Sequence, residues 1–485
     1  MNYRVIFNII GKVLCIVAVF MLPALVLSLC LEENSGAIGF TVSIVVCAAI
    51  GLPLVLLKPK RKDIFAREGL VTVGLAWILV SILGALPFLI SGAIPNYIDC
   101  IFETASGFST TGATILTEIE HLPRGILYWR SFTHWLGGMG VLVFLLILNP
   151  LSDKNTGEGM HLLRAESPGI KASKLVPRMK ESAGILYLIY IALTVLEFIF
   201  LILGRMPLFD AVCMALGTAG TGGFGVLNDS CASYSPYCQW VLTAFMLLFG
   251  VNFNIYFLLV IKKYRKSLRN EELFVYIGVV AASIIIISIS IAGRFSSVEE
   301  TIRTAAFQVA AIISTTGFGT ADFDQWPQIT RTLIVGLMFC GACAGSTGGG
   351  AKLIRIMTMF KSAHRSIYKI MHPNAVKMVH LDGEVMDDDT VNAVGAYMLL
   401  YFVIIAVVTL AVSLDGLSFE SNFTAVVSCM NNIGPGLGAV GPTMNYACFS
   451  GVSKLLLSLT MLIGRLEIYP VMVLFVPSVW KKISR

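Results

Sequence analysis

Residues 314–322 read "STTGFGTAD", and they follow directly on the apolar run "AAFQVAAII" at 305–313. Polar, glycine-bearing backbone at the end of so greasy a run needs a physical reason, because lipid satisfies no exposed amide. The surrounding chain sharpens the question. Of its 485 residues 56% are hydrophobic and 13% charged, with a mean hydropathy of +0.82. A soluble domain carries about half apolar and a quarter charged residues, so this composition excludes one and indicates an all-α polytopic membrane protein.

Apolar runs near the 20 residues a span requires fall at 8–30, 37–57, 69–91, 128–149, 182–204, 238–261, 273–293, 329–357, 393–414 and 453–479, which predicts ten transmembrane helices. The first run lacks a small-residue cleavage site and is expected to be retained. Lysine and arginine resist translocation and so set the orientation. The segments 58–68, 151–181, 262–270 and 352–391, with the two chain ends, hold 27 of the 35 basic residues, which puts both termini on the cytoplasmic side. Acidic residues gather in the opposite segments, among them Asp99, Glu103, Asp210, Glu299, Asp324 and Glu420. An acidic mouth there would concentrate cations.

The opening stretch lies on that outer side, after "SSVEETIRTAAFQVAAII", which is long enough for a short helix that enters the membrane without crossing it. Comparable segments are "YIDCIFETASGFSTTGAT", "LFDAVCMALGTAGTGGFG" and "SFESNFTAVVSCMNNIGPGLG". Each follows an outward-running span and precedes an inward-running one, and Gly112, Gly222, Gly317 and Gly434 are separated by 110, 95 and 117 residues. The chain therefore reads as four pseudo-repeated units of helix, pore loop and helix. They occupy 67–155, 156–266, 267–378 and 379–485, behind an extra N-terminal helix pair at 1–66. Irregular backbone at membrane depth is tolerated where it lines water or is buried in protein. Four such loops around one axis would line a pore, with backbone carbonyls replacing an ion's hydration shell as in potassium filters. Aligned on glycine, the candidate filter is Thr110-Thr111-Gly112, Gly220-Thr221-Gly222, Thr315-Thr316-Gly317 and Asn432-Ile433-Gly434.

This pattern resembles the TrkH/KtrB family of bacterial potassium uptake proteins, with residues 69–479 covering its fourfold core. The stretches "WRSFTHWLGGMGVLVF", "LLRAESPG", "STTGFGTADF", "GSTGGGAKLIRI", "NNIGPGLGAVGP" and "GRLEIYPV", together with the extra N-terminal helix pair, are most similar to the TrkH branch. The resemblance implies potassium as the transported ion and the bacterial cytoplasmic (inner) membrane as the location. It also implies a homodimer with one pore per subunit, and a cytosolic nucleotide-binding regulatory ring of TrkA type as partner. One departure is His134, at a position where the family pattern leads us to expect glutamine.

Two further features bear on gating. The eighth span is interrupted by "GACAGSTGGG" at 341–350, ten small residues of which five are glycine. Each glycine costs about 1 kcal/mol in a helix relative to alanine, so the run is expected to be a non-helical loop across the pore below the filter. Gly341, Gly345, Gly348, Gly349 and Gly350 are the candidate gate, against the alternative of close helix packing through small residues. Arg465 lies deep in the last span, where a charge must face the bundle interior or a water-filled cavity, and it is expected beside that gate. Glu467, two residues on, points elsewhere around the helix and is a poor partner for it. Lys352 reads as a cytoplasmic-end positive charge with a secondary part in gating.

Other chemistry is not expected. Gly345–Gly350 imitates a phosphate loop, but Ala351 stands where lysine is required and no strand precedes it, so no nucleotide should bind to this chain. The six histidines lack metal-ligand spacing, no nucleophile and base can be matched, and no catalytic or nucleic-acid-binding role is expected. Cys340 and Cys343 read as packing in an apolar stretch. Cys231 and Cys238 flank a short outer loop and are candidates to pair. A secondary active transporter coupling cation movement to another solute is the alternative function. It calls for inverted halves with buried midplane carboxylates, whereas the four loops here share one topology.

Overall fold

The computed structural model describes residues 2–57, 66–140, 179–267 and 269–480. The far end of the span expected at 128–149 and most of the basic segments at 58–68 and 151–181 lie outside the described residues. Within them the regular structure is helical apart from a two-residue antiparallel pairing of His380–Leu381 with Glu384–Val385.

Six helices are long and apolar enough to cross a membrane, at Tyr3–Cys30, Asn34–Leu56, Arg67–Ile90, Gly184–Leu203, Glu271–Ser290 and Asp388–Asp415. In all of them but Arg67–Ile90 most of the apolar window is unburied, the reverse of a soluble protein. Only 22% of the most apolar window of Glu271–Ser290 is buried, and Leu203, Ile289 and Leu410 are each at least two-thirds exposed. Apolar side chains turned outward are what a hydrocarbon solvent selects, and the chain is a multi-pass membrane protein.

The two N-terminal helices pack closely because glycines let their backbones meet. A Cβ at Gly11 would stand 2.7 Å from the Gly51 carbonyl oxygen, and Asn8 Nδ2 donates to the Val55 carbonyl at 2.6 Å.

Several expected spans are broken. The run 238–261 forms Pro236–Phe249 and Phe253–Val260, bent by 87° about Gly250–Asn252, and counted as one span it would be a seventh. The run 329–357 stops as a helix at Cys340 and resumes at Leu353, as its glycines require. The last run is helical over Gly451–Arg465 and turns sharply at Glu467 and Ile468, both with positive φ. The bent span and the glycine-rich break satisfy one another. Cys343 N–H donates to the Gly250 carbonyl at 3.0 Å, and Phe253 N–H to the Gly345 carbonyl at 2.9 Å. Two interruptions at membrane depth thus supply each other's backbone partners.

Inside the long helices lie four short ones, Tyr97–Phe108, Leu208–Gly220, Val298–Ile313 and Phe419–Asn431. They reverse the pattern of the outer helices, for Thr304 to Ile313 is buried without exception. Small residues such as Ala305, Ala306, Ala310 and Ala311 let neighbours approach this helix from every side.

Candidate functional site

The four short helices end in one motif. The N–H groups of Thr110, Thr221, Thr315 and Asn432 donate to the carbonyl three residues back, and those of Thr111, Gly222, Thr316 and Ile433 to the carbonyl five back. This is the Schellman termination, whose closing residue must be left-handed and is usually glycine. Here the left-handed residues are Thr110, Thr221 and Thr315, at φ of 58°, 55° and 59°, and Asn432 at 54°. Asparagine tolerates that region, but β-branched threonine does not. Each such residue stores roughly 1–3 kcal/mol of strain, which persists where function over-determines the geometry.

Two residues further along stands a glycine with positive φ in every loop: Gly112, Gly223, Gly317 and Gly434. In the second loop this is Gly223, not Gly222, so the register expected from the sequence moves by one. The equivalent triplet is Thr221-Gly222-Gly223 in place of Gly220-Thr221-Gly222. A signal for this was present: "TGGFG" at 221–225 matches "TTGFG" at 315–319 in four of five positions.

The glycines close a ring. A Cβ at Gly112 would stand 2.0 Å from the Gly222 carbonyl oxygen, and one at Gly223 2.0 Å from that of Thr316. A Cβ at Gly317 would stand 1.8 Å from the Ile433 carbonyl oxygen, and one at Gly434 2.7 Å from that of Thr111. Each loop thus presses its glycine on the preceding residue's carbonyl in the next loop, and the fourth returns to the first. All four helices end at this ring, so the negative ends of their dipoles, roughly half a charge each, converge there and favour a cation.

Five of the acidic groups near the loops are ion-paired, so the outer side carries less unbalanced negative charge than the sequence suggests. Buried Glu103 pairs with Arg130 at 2.8 Å and accepts from Thr114 Oγ1 and Ile115 N–H. Asp99 pairs with Lys454, Glu299 with Arg303, and Arg331 bridges Asp324 and Glu420. Asp324 also accepts from Gly438 N–H, tying the loop after Val298–Ile313 to the loop after Phe419–Asn431. Cys231 and Cys238 are buried free thiols.

Residues 341–350 are non-helical and lie directly against two of the helix ends. Gly349 N–H donates to Thr315 Oγ1 at 2.7 Å, and a Cβ at Gly349 would stand 2.7 Å from the Asn431 carbonyl oxygen. A Cβ at Gly348 would stand 2.9 Å from the Ser314 carbonyl oxygen, so no larger residue seats here. Gly341, Gly345 and Gly350 all have positive φ.

Three charged side chains hold this segment. Arg465 Nη1 donates to the Thr347 carbonyl at 2.7 Å, and its Nη2 donates to the Gly138 carbonyl at 2.8 Å and to that of Gly137. Lys352 is buried and donates through Nζ to the Gly348 carbonyl, so it belongs to the segment itself and not to a solvated helix end. Glu272, which the sequence reading did not single out, accepts through Oε1 from Ala344 N–H at 2.7 Å and from Ile354 N–H at 3.2 Å. One carboxylate oxygen therefore holds the segment and the helix beyond it. Its helix is capped in turn by Asp382, which accepts from Glu271 N–H at 2.7 Å. Glu467 pairs with Arg355, which lies 4.1 Å from the Tyr397 ring centroid.

Comparison with known proteins agrees with this architecture. Residues 38–482 match the model of the TrkH family, described as cation transport proteins. The chain is 36% identical over 494 residues to the Trk system potassium uptake protein TrkH of Salmonella typhimurium, covering 99% of this chain and all of the relative. It is 35% identical over 492 residues to the protein of the same name from Escherichia coli K12, with the same coverage. The crystal structure of the potassium transporter TrkH from Vibrio parahaemolyticus superposes with a TM-score of 0.89 at 29% identity, over 99% of this chain and all of that one. With the fold shared from end to end and the family model matched across nearly the whole sequence, the chain belongs to the TrkH family of cation transport proteins.

Proposed function

We propose that this chain is the channel-like, ion-translocating subunit of a Trk system, taking up potassium across the bacterial cytoplasmic membrane. The observation that carries the proposal is the closed ring of four glycine-to-carbonyl contacts at the convergent ends of four helices. Backbone carbonyls held in a ring replace potassium's hydration shell at little cost, and negative helix ends favour the charge without a carboxylate that would bind too tightly. The relatives' printed names, potassium uptake proteins of Trk systems, point the same way.

On this reading Thr110–Gly112, Thr221–Gly223, Thr315–Gly317 and Asn432–Gly434 line the filter, and potassium is cargo rather than a resident cofactor. Residues 341–350 close the path beneath it. Arg465 and Lys352 add positive charge to the ion's route there and hold the segment closed through its carbonyls. Ten spans with cytoplasmic termini, four repeats over 67–155, 156–266, 267–378 and 379–485, a homodimer, and a cytosolic nucleotide-binding ring that opens the gate complete the proposal. Solute-coupled transport has less support, since the irregular segments here line a ring of one topology.

The test is ion flux in liposomes holding the purified protein, with a potassium gradient and no other. Potassium uptake that exceeds sodium uptake is the expected result. Uptake only when a second solute gradient is imposed would favour the coupled transporter.

A further inference from the structure

His134 is fully buried and faces the first and second loops. Three of the four loops are braced by side chains that reach past the adjacent residue, whereas in the second Thr221 Oγ1 donates only to the neighbouring Gly220 carbonyl at 2.6 Å. In the first, Ser109 Oγ and Thr111 Oγ1 lie 2.7 Å apart; in the third, Ser314 Oγ and Thr316 Oγ1 lie 2.7 Å apart. In the fourth, Asn432 Nδ2 donates to Thr111 Oγ1 at 3.0 Å and to the Met461 carbonyl at 2.9 Å. The second loop has Gly220 and Gly222 where the first has Ser109 and Thr111, and reads Gly-Thr-Gly-Gly-Phe-Gly over 220–225. Glycine has the most backbone freedom to lose, so this loop has the weakest means of holding its carbonyls still.

The His134 imidazole fills the missing place. A Cβ at Gly222 would stand 2.0 Å from His134 Cγ, so the ring occupies the space a side chain at 222 would need. Its Nε2 accepts from Phe224 N–H at 3.3 Å, and its Nδ1 lies 2.8 Å from the Gly107 carbonyl. A nitrogen facing an N–H must accept and one facing a carbonyl must donate, so the ring is neutral with its proton on Nδ1. Phe224 is thereby held between the imidazole, 4.2 Å away, and the Arg130 guanidinium at 4.1 Å. In the fourth unit Gly464 meets the Met430 carbonyl as Gly137 meets that of Phe108, which makes Met461 the counterpart of His134 three residues before that glycine. A thioether offers no N–H and cannot make the same bridge.

We infer that His134 is a specificity-determining positioning residue, an imidazole that stands in for the brace between side chains that Gly220 and Gly222 cannot supply and fixes the Gly222–Gly223 carbonyls in the ring. The inference rests on the filter reading above. Its function is to hold Phe224 N–H and the end of the first short helix at one separation, so that the weakest quarter of the ring keeps the diameter set by the other three.

The experiment compares His134→Gln, His134→Leu, His134→Ala and the double variant His134→Ala with Gly222→Thr, as full-length protein in liposomes. Potassium and sodium fluxes are measured per correctly folded molecule. Glutamine keeps one donor and one acceptor, and its potassium-to-sodium ratio should stay within about twofold of the parent. Leucine keeps bulk and loses both bonds, and the ratio should fall at least about tenfold, the value of one of the two buried hydrogen bonds alone. Gly222→Thr alone has no room, but in the His134→Ala background its side chain enters the vacated space and should recover part of the lost ratio. A parental ratio in His134→Leu, or no recovery in the double variant, would overturn the inference. Gly317→Ala, run alongside, separates the two readings. If it lowers the ratio and His134→Leu does not, only the role of His134 fails; if neither moves it, the filter reading fails.

Discussion

Glu272 offers the sharpest test of the gate. One of its carboxylate oxygens receives two backbone N–H groups, from Ala344 inside the glycine-rich segment and Ile354 just beyond it, at 2.7 and 3.2 Å. Hydrogen bonds to a charged group contribute about 1.5–3 kcal/mol each. Taking the lower value for both, Glu272→Ala removes about 3 kcal/mol from the state in which the segment is seated, a shift of about a hundredfold in the closed-to-open ratio. Glu272→Gln keeps a carbonyl for the same two donors at neutral strength, so its shift should be about tenfold. The assay is rubidium or potassium flux into liposomes at matched incorporation, with no cytosolic partner present. Flux should rise in the order parent, glutamine, alanine. Flux from Glu272→Ala at or below the parent's, in protein that elutes as one folded species, would refute the assignment of this carboxylate as a clamp on a gate. Equal values for glutamine and alanine would show that packing, and not the shared oxygen, is what matters.

Other outcomes follow from the same geometry. Arg465→Ala should raise partner-free flux by freeing the Thr347 carbonyl and removing a positive charge from the ion's route, with the larger effect at low ionic strength, where screening is weak. Flux that is unchanged between low and high salt would remove the electrostatic part of that argument. Gly349→Ala cannot seat beneath the Asn431 carbonyl, 2.7 Å from its new Cβ, and overpacking of about 1–3 kcal/mol should lift the segment and increase flux several-fold. Loss of flux together with folded yield would instead show that the segment is a packing element. Gly223→Ala and Gly317→Ala, at φ of 85° and 80° and facing carbonyls at 2.0 and 1.8 Å, should lower the potassium-to-sodium ratio at least tenfold. Gly319→Ala, whose Cβ would find its nearest neighbour 3.9 Å away, should leave the ratio at the parent's value.

Much of this site was legible in one dimension because its chemistry is local. A short apolar helix that stops at a threonine or asparagine followed by glycine is a sequence event, and it recurs at 110–112, 315–317 and 432–434 with the residues expected. Glycine at 341–350 announced its own break in the run 329–357, and Glu467 pairs with Arg355. What failed was alignment across repeats. The second loop offers several glycines, and counting back from Gly222 chose the wrong one. The positive φ of Gly223, fixed by the Thr316 carbonyl pressing from the next loop, decides the matter, and that contact joins residues 93 positions apart.

By itself, then, the amino-acid sequence determined that the chain lives in a membrane, where its polar interruptions fall, and which small residues permit them, because hydropathy and backbone freedom are properties of short segments. Tertiary structure alone decided which carbonyl meets which glycine, that Asp99, Glu103, Glu299, Asp324 and Glu420 pair with arginine or lysine, that Lys352 turns inward to Gly348, and that Glu272 and His134 matter at all. Those facts depend on long-range juxtaposition: a carboxylate or an imidazole acquires a role only when folding delivers an unpaired N–H from a distant segment to within hydrogen-bonding distance, and no local pattern records that delivery.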